Sequence, residues 1–139
     1  MIEKKEYISR RQELMSMMHK NSIAVISSAP EKVRSRDTNY PYKQNVNLTY
    51  LAGFPEPDSV LVLIPDREDG QVILFCRDKD PLRETWDGYR EGPASAIKKY
   101  GLDDAFPISD IDDILPNLIE GKDRLYYAVG KDPEFDKRI

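Results

Sequence analysis

The sequence predicts an α/β domain, a mixed β-sheet flanked by helices, and three features lead there. Residues 60–64 and 71–77 are short apolar runs rich in β-branched residues, joined by a loop holding Asp69-Gly70, a favoured hairpin turn. Stretches with apolar residues at helical spacing lie before and after this pair. The order helix, strand, strand, hairpin, helix, helix, strand suits a layered α/β arrangement.

Residues 3–20 read as the first helix. Tyr7, Leu14 and Met18 fall near one face, Ile8 and Met15 lie beside them, and Asn21 is the stop. Residues 23–27 are short, apolar and partly β-branched, and predict a buried strand. Residues 30–41 are polar, with Arg34, Arg36 and Asp37 close together, and read as a loop. Residues 46–52 alternate, with Val46, Leu48 and Tyr50 on one face and Asn47, Thr49 and Leu51 on the other. That pattern predicts a second strand. Residues 53–57 form a turn, because Pro55 and Pro57 lack the backbone donor a ladder needs. Pairing 60–64 with 71–77 gives an antiparallel hairpin.

Residues 78–92 read as a charged loop carrying Trp86, the single tryptophan. Pro93 opens a helix that runs to Tyr100, and Gly101 ends it. Ser109-Asp110-Ile111-Asp112 has the form of a capping box. Ile111, Ile114, Leu115, Leu118 and Ile119 follow at one-face spacing. Pro116 conflicts with a straight helix, at a cost of about 3 kcal/mol for an interior proline, and predicts a kink or a late start. Residues 125–129 are the last strand. Residues 132–139 are charged and end where a helix could be starting, so the chain is expected to be cut from a longer protein.

A chain of 139 residues suits a single domain spanning 1–139 and is too short for two. The charged fraction of 33% exceeds the usual quarter, so the surface is well solvated. The net charge of −4 is built from interspersed signs with no basic face, which argues against nucleic acid as a partner. No run approaches the roughly 20 apolar residues that cross a bilayer, so no membrane partner is expected. The N-terminus lacks the apolar core of a signal peptide. A single cysteine, Cys76, excludes an internal disulfide framework. Together these point to a reducing cytoplasm.

Residues suited to catalysis are sparse. His19, the single histidine, cannot build an imidazole-rich metal site alone, and at the end of the first helix it reads as a surface residue favoured by the dipole. Cys76, inside a hairpin strand, reads as a small buried hydrophobe rather than a nucleophile. No glycine-rich phosphate loop is present. Asp103, Asp104, Asp110, Asp112 and Asp113 form the densest acidic cluster. Carboxylates alone can hold magnesium or calcium, yet these positions suit helix starts and solvation. No catalytic and no metal-ligating residue is assigned within the chain.

Residues 39–58 read Asn-Tyr-Pro-Tyr-Lys-Gln-Asn-Val-Asn-Leu-Thr-Tyr-Leu-Ala-Gly-Phe-Pro-Glu-Pro-Asp. An aromatic-proline segment, a polar patch and a Gly-Phe-Pro-Glu-Pro turn in that order resemble the N-terminal domain of aminopeptidase P, the Xaa-Pro aminopeptidases of the creatinase and prolidase superfamily. The likeness begins at Tyr7-Ile-Ser-Arg-Arg-Gln-Glu-Leu-Met and continues through Ala29-Pro30-Glu31 and Arg34-Ser35-Arg36-Asp37. It runs on through Pro57-Asp58-Ser59-Val60 and Phe75-Cys76-Arg77-Asp78-Lys79-Asp80, and reaches Glu84-Thr85-Trp86-Asp87-Gly88-Tyr89-Arg90. The opening motif is expected to mark the fold rather than perform chemistry. Tyr40, Tyr42 and Tyr50 are expected to pack, Gln44, Asn45 and Asn47 to satisfy loop backbone, and Gly53 to supply a special conformation.

The resemblance implies an accessory domain joined to a C-terminal catalytic domain of the same polypeptide. That second domain would hold two divalent metals, typically manganese, through two Asp, one His and two Glu. None of these ligands can be assigned here. The parent would remove an N-terminal residue preceding proline, so its substrates would be peptides with proline at position two. It would form a homo-oligomer, in which the tryptophan loop reaches toward a neighbouring subunit's active site. Trp86 is the matching, substrate-proximal residue. It would either wall that pocket or pack on its own domain. The other readings are a stand-alone interaction module without catalysis and the N-terminal domain of a prolidase.

Overall fold

The computed structural model describes residues 2–29 and 43–127. Five strands form one sheet: β1 (Ser22–Ser27), β2 (Val60–Leu63), β3 (Val72–Cys76), β4 (Asp104–Pro107) and β5 (Arg124–Tyr127), in the order β4-β3-β2-β1-β5. The expected hairpin is present, with Val60 opposite Phe75 and Leu63 opposite Val72 in antiparallel register. β1 pairs antiparallel with β2, while β3–β4 and β1–β5 are parallel. The sheet is therefore mixed, as the sequence predicts. Every residue of β2 and β3 is buried, because helices cover both faces. That is why these runs are continuously apolar instead of alternating.

Alternate residues feed two cores. On one face Leu61, Leu63 and Leu74 meet α1 (Lys4–Ser16), α2 (Val46–Ala52) and α4 (Pro93–Tyr100), through Met15, Leu48, Leu51 and Ala96. Phe54, fully buried, stacks edge-on against Tyr100 with ring centres 5.2 Å apart. On the other face Val62, Ile64, Ile73 and Phe75 pack on α5 (Ile111–Ile119) through Ile111 and Leu115. A fifth helix, α3 (Pro81–Asp87), contributes no described side chain to either core.

Several local expectations are corrected. Residues 46–52 are a helix, not a strand. Asn45 Oδ1 accepts from the backbone N–H groups of Asn47 and Leu48, at 2.9 and 3.2 Å, and so caps α2. Gly53 stops it in the left-handed region at φ 68°. Buried Leu48, Leu51 and Ala52 follow helical spacing, whereas Val46 and Tyr50, assigned to the same face as Leu48, are 77% and 53% exposed. Residues 78–92 are not all loop, since they contain α3. β4 was not expected: it is a four-residue edge strand with Asp at one end and Pro at the other. The first helix ends at Ser16, short of Lys20. The N-cap of α5 is Asp110 rather than Ser109, and the Asp110 side chain makes no capping bond. A 3₁₀ turn, Ile108–Asp110, leads into α5 instead, and α5 continues through Pro116. The last strand begins at Arg124, and residues 128–129 of that expectation lie outside the described residues.

α1 locks the ends of two other helices. A methyl group at Gly53, which ends α2, would lie 2.5 Å from the Tyr7 ring, and one at Gly101, which ends α4, would lie 2.7 Å from Ile8 Cδ1. One turn further along, Arg11 is buried at 1% exposure. Its Nη1 donates to Leu51 O at 2.9 Å, and its Nη2 donates to Tyr100 O and Gly101 O at 3.0 and 3.1 Å. One guanidinium thus satisfies the orphan carbonyls of two helix C-termini and complements both dipoles. Burial lowers the Arg11 pKa, and the nearby Asp103 opposes that shift.

Candidate functional site: a braced aromatic excursion

The chain leaves β3 at Arg77, builds α3, and returns through residues 88–92 to α4. The local chemistry is that of a capped helix. Asp80 Oδ1 accepts from Arg83 N–H at 3.2 Å, Pro81 takes the first position where no donor is needed, and Gly88 closes the helix onto Glu84 O at 3.1 Å. The excursion presents Leu82, Trp86 and Tyr89, exposed at 77%, 84% and 61%. Among the described residues Trp86 is therefore largely unpacked. Three large apolar groups in one short segment are characteristic of a contact surface.

The base of the excursion is a buried charge network. Glu56 Oε1 accepts from Arg77 Nη2 at 3.3 Å, and Glu56 Oε2 accepts from Glu91 N–H at 2.8 Å. Glu91 in turn accepts from Ser95 Oγ, from Tyr89 Oη at 3.2 Å and from Lys99 Nζ at 3.2 Å. Both carboxylates are nearly buried, at 8% and 5% exposure. Burial alone would raise the Glu91 pKa, but the Ser95, Lys99 and Tyr89 donors outweigh it and hold the carboxyl below its ordinary value. Glu84 is also lowered, chiefly by the Arg90 N–H and then by Lys79. Lys79 and Lys99 are raised, each chiefly by its hydrogen-bonded carboxylate.

Glu56 belongs to the Gly-Phe-Pro-Glu-Pro turn, and Glu91 closes the tryptophan excursion. The two parts of the sequence that carry the resemblance are thus joined through Glu56, which accepts from Arg77 Nη2 and from Glu91 N–H. Both lie at the same end of the sheet, where β1 and β3 end and β2 begins. In open α/β sheets that carboxyl end is where ligands gather. The polar patch of the motif lies there too. Gln44 Oε1 accepts from Ala29 and Asn45 N–H at 3.0 and 2.9 Å, and its Nε2 donates to Phe54 O and Glu56 O at 3.0 and 2.9 Å. Gln44 and Asn45 satisfy backbone as expected. Tyr50 does not pack inside; its ring lies under the Arg10 guanidinium at 4.3 Å. Tyr40, Tyr42, Arg34, Arg36 and Asp37 lie outside the described residues.

Other candidates resolve simply. Cys76 is fully buried beneath the network, and burial, then Glu56, push its thiol up to about 12, so it is not a thiolate at neutral pH. His19 is exposed beyond the end of α1. Asp103 pins the hairpin loop by accepting from Gln71 and Val72 N–H at 2.9 and 3.0 Å. Among the described residues no three His, Cys, Asp or Glu side chains come together as a metal site. A separate cavity of about 550 Å³ lies between α1, α2 and the β1–β5 edge, lined by Leu14, Met18, Ile26, Leu51 and Tyr126 among others. Its described lining leaves out Trp86.

A mixed five-stranded sheet with helices on both faces and an aromatic excursion at the strand carboxyl ends defines a layered α/β domain. The family model described as "Aminopeptidase P, N-terminal domain" matches residues 7–126, and the chain belongs to that family. It is 42% identical over 131 residues to the Xaa-Pro aminopeptidase of Escherichia coli (strain K12), covering 94% of this chain and 30% of that protein. The structure of Pseudomonas aeruginosa aminopeptidase PepP superposes with a TM-score of 0.93 at 56% identity, over 99% of this chain and 31% of that one. A zinc-substituted E. coli aminopeptidase P in complex with product superposes with a TM-score of 0.92 at 40% identity, over 99% and 31%. The chain spans about 30% of the length of the curated E. coli relative. Among the described residues no helix is long and apolar enough to cross a membrane.

Proposed function

We propose that residues 1–139 are the N-terminal accessory domain of a longer, cytoplasmic Xaa-Pro aminopeptidase whose separate C-terminal domain carries the chemistry. The domain walls the substrate pocket with Trp86 and supplies contacts between domains and subunits of a homo-oligomer. The observation that carries this reading is Trp86 itself, held 84% exposed on an excursion whose base is buried and ion-paired. An aromatic side chain kept in water by a rigid mount is suited to meet a partner surface.

The parent's substrates are peptides with proline at position two. The bond before proline is a tertiary amide without an N–H, so general peptidases that bind that donor handle it poorly. The parent's cofactor is a pair of divalent ions, manganese by preference, whose chemistry is to activate a water for attack on the scissile carbonyl. The zinc-substituted E. coli relative supports a metal in such parents. This chain's own share is binding and orientation.

The test separates the two shares. Residues 1–139, with folding checked by circular dichroism, are expected to leave Xaa-Pro peptides intact and to show only weak, unsaturated manganese binding by calorimetry. The full-length parent is expected to cleave the same peptides. Tight stoichiometric manganese binding, or turnover by the short chain, contradicts the reading.

A further inference from the structure

We propose that Lys79 is the positioning residue that sets where Trp86 points. This rests on the reading of Trp86 as a pocket wall. Lys79 stands immediately before the α3 cap, Asp80. Its Nζ donates to Glu84 Oε1 at 2.9 Å and to Arg90 O at 2.8 Å, and lies 4.0 Å from the centre of the Tyr89 ring. Glu84 Oε1 also accepts from Arg90 N–H at 3.0 Å. One ammonium therefore ties the start of the excursion to its helix and to its return.

Glu84 and Trp86 sit two residues apart, about 200° around a helix, so fixing one aims the other. The Glu84 side chain is 13% exposed and turned inward, whereas Trp86 is 84% exposed. α3 has only seven residues and adds no described side chain to either core. A helix this far below about 12 residues does not hold its own shape in water, so its direction depends on such ties. Leu82 and Trp86, at i and i+4, share its outward face. A small tilt of α3 therefore carries both away from whatever they meet.

The experiment uses the full-length parent labelled with 5-fluorotryptophan, the Trp86 ¹⁹F resonance being assigned by its loss in Trp86→Phe. Lys79→Met keeps the apolar stem and removes the charge and both hydrogen bonds. It is expected to shift or broaden the Trp86 resonance and to lower kcat/KM on an Xaa-Pro tripeptide roughly tenfold, the loss expected when the Trp86 contact is gone. Lys79→Arg is expected to restore both. The double variant Lys79→Met with Trp86→Ala is expected to be no worse than Trp86→Ala alone, because Lys79 acts through Trp86. An unmoved Trp86 resonance in Lys79→Met, or additive losses in the double variant, overturns the proposal whatever Trp86 does. A moved resonance in Lys79→Met with full activity in Trp86→Ala upholds the mount and sinks the pocket-wall reading instead.

Discussion

Arg11 shows how one residue can govern several elements. It was legible only as one residue of the Tyr7-Ile-Ser-Arg-Arg-Gln-Glu-Leu-Met segment, and residue type alone suggested solvent. Its burial follows from what it meets: the carbonyl ends of α2 and α4, which need donors and favour a positive charge. Arg11→Met leaves three such carbonyls without that donor and is expected to cost about 3 kcal/mol, read as a lower urea midpoint. Glu56 and Glu91 are the matching pair at the site. They were missed because they meet across 35 residues, a separation that no window along the chain reveals. The nearest local signal was an acidic residue set between two prolines in an otherwise apolar turn. Trp86, by contrast, was legible as the single tryptophan, set in a charged loop. It stands 84% exposed.

At the scale of elements, the hairpin and α4 were legible because their signals agree: continuous apolar runs around Asp-Gly, and a helix between Pro93 and Gly101. α2 was misread because the alternation of its residues was weighed above its start and stop residues. Asn45 and Gly53, eight positions apart, bracket a two-turn helix, and that bracket decides the structure. Asn45→Ala is expected to cost about 1 kcal/mol through the lost cap, measurable by thermal or denaturant unfolding. Gly53→Ala is expected to cost more than this, since the added methyl meets Tyr7 in a left-handed backbone. α3 escaped notice for the same reason as α2: Asp80-Pro81 and Gly88 announce it, but its apolar face is turned to water and shows no core pattern. β4 carries too few residues to be seen without its partner β3.

At the scale of the whole molecule, the charge network makes stability depend on pH at both extremes. Glu84 and Glu91 have lowered folded values. Their contribution is fully present above the ordinary 4.5 and is lost as pH falls through the folded values. Lys79 and Lys99 have raised folded values, so their contribution is fully present below the ordinary 10.5 and is lost as pH rises through the folded values. A urea midpoint measured against pH is expected to be flat between those limits and to fall outside them. Glu91→Gln is expected to flatten the acid limb while lowering the plateau. The same network joins Arg77 and Glu91, the two ends of the excursion that carries Trp86, through Glu56. The central claim is that Trp86 is held out for the substrate pocket of a larger enzyme. Its most direct test is kcat/KM of Trp86→Ala in the full-length parent on a tripeptide with proline at position two. The account predicts a fall of roughly tenfold with folding unchanged, as for loss of an aromatic contact worth about 1.4 kcal/mol. An unchanged kcat/KM would contradict it.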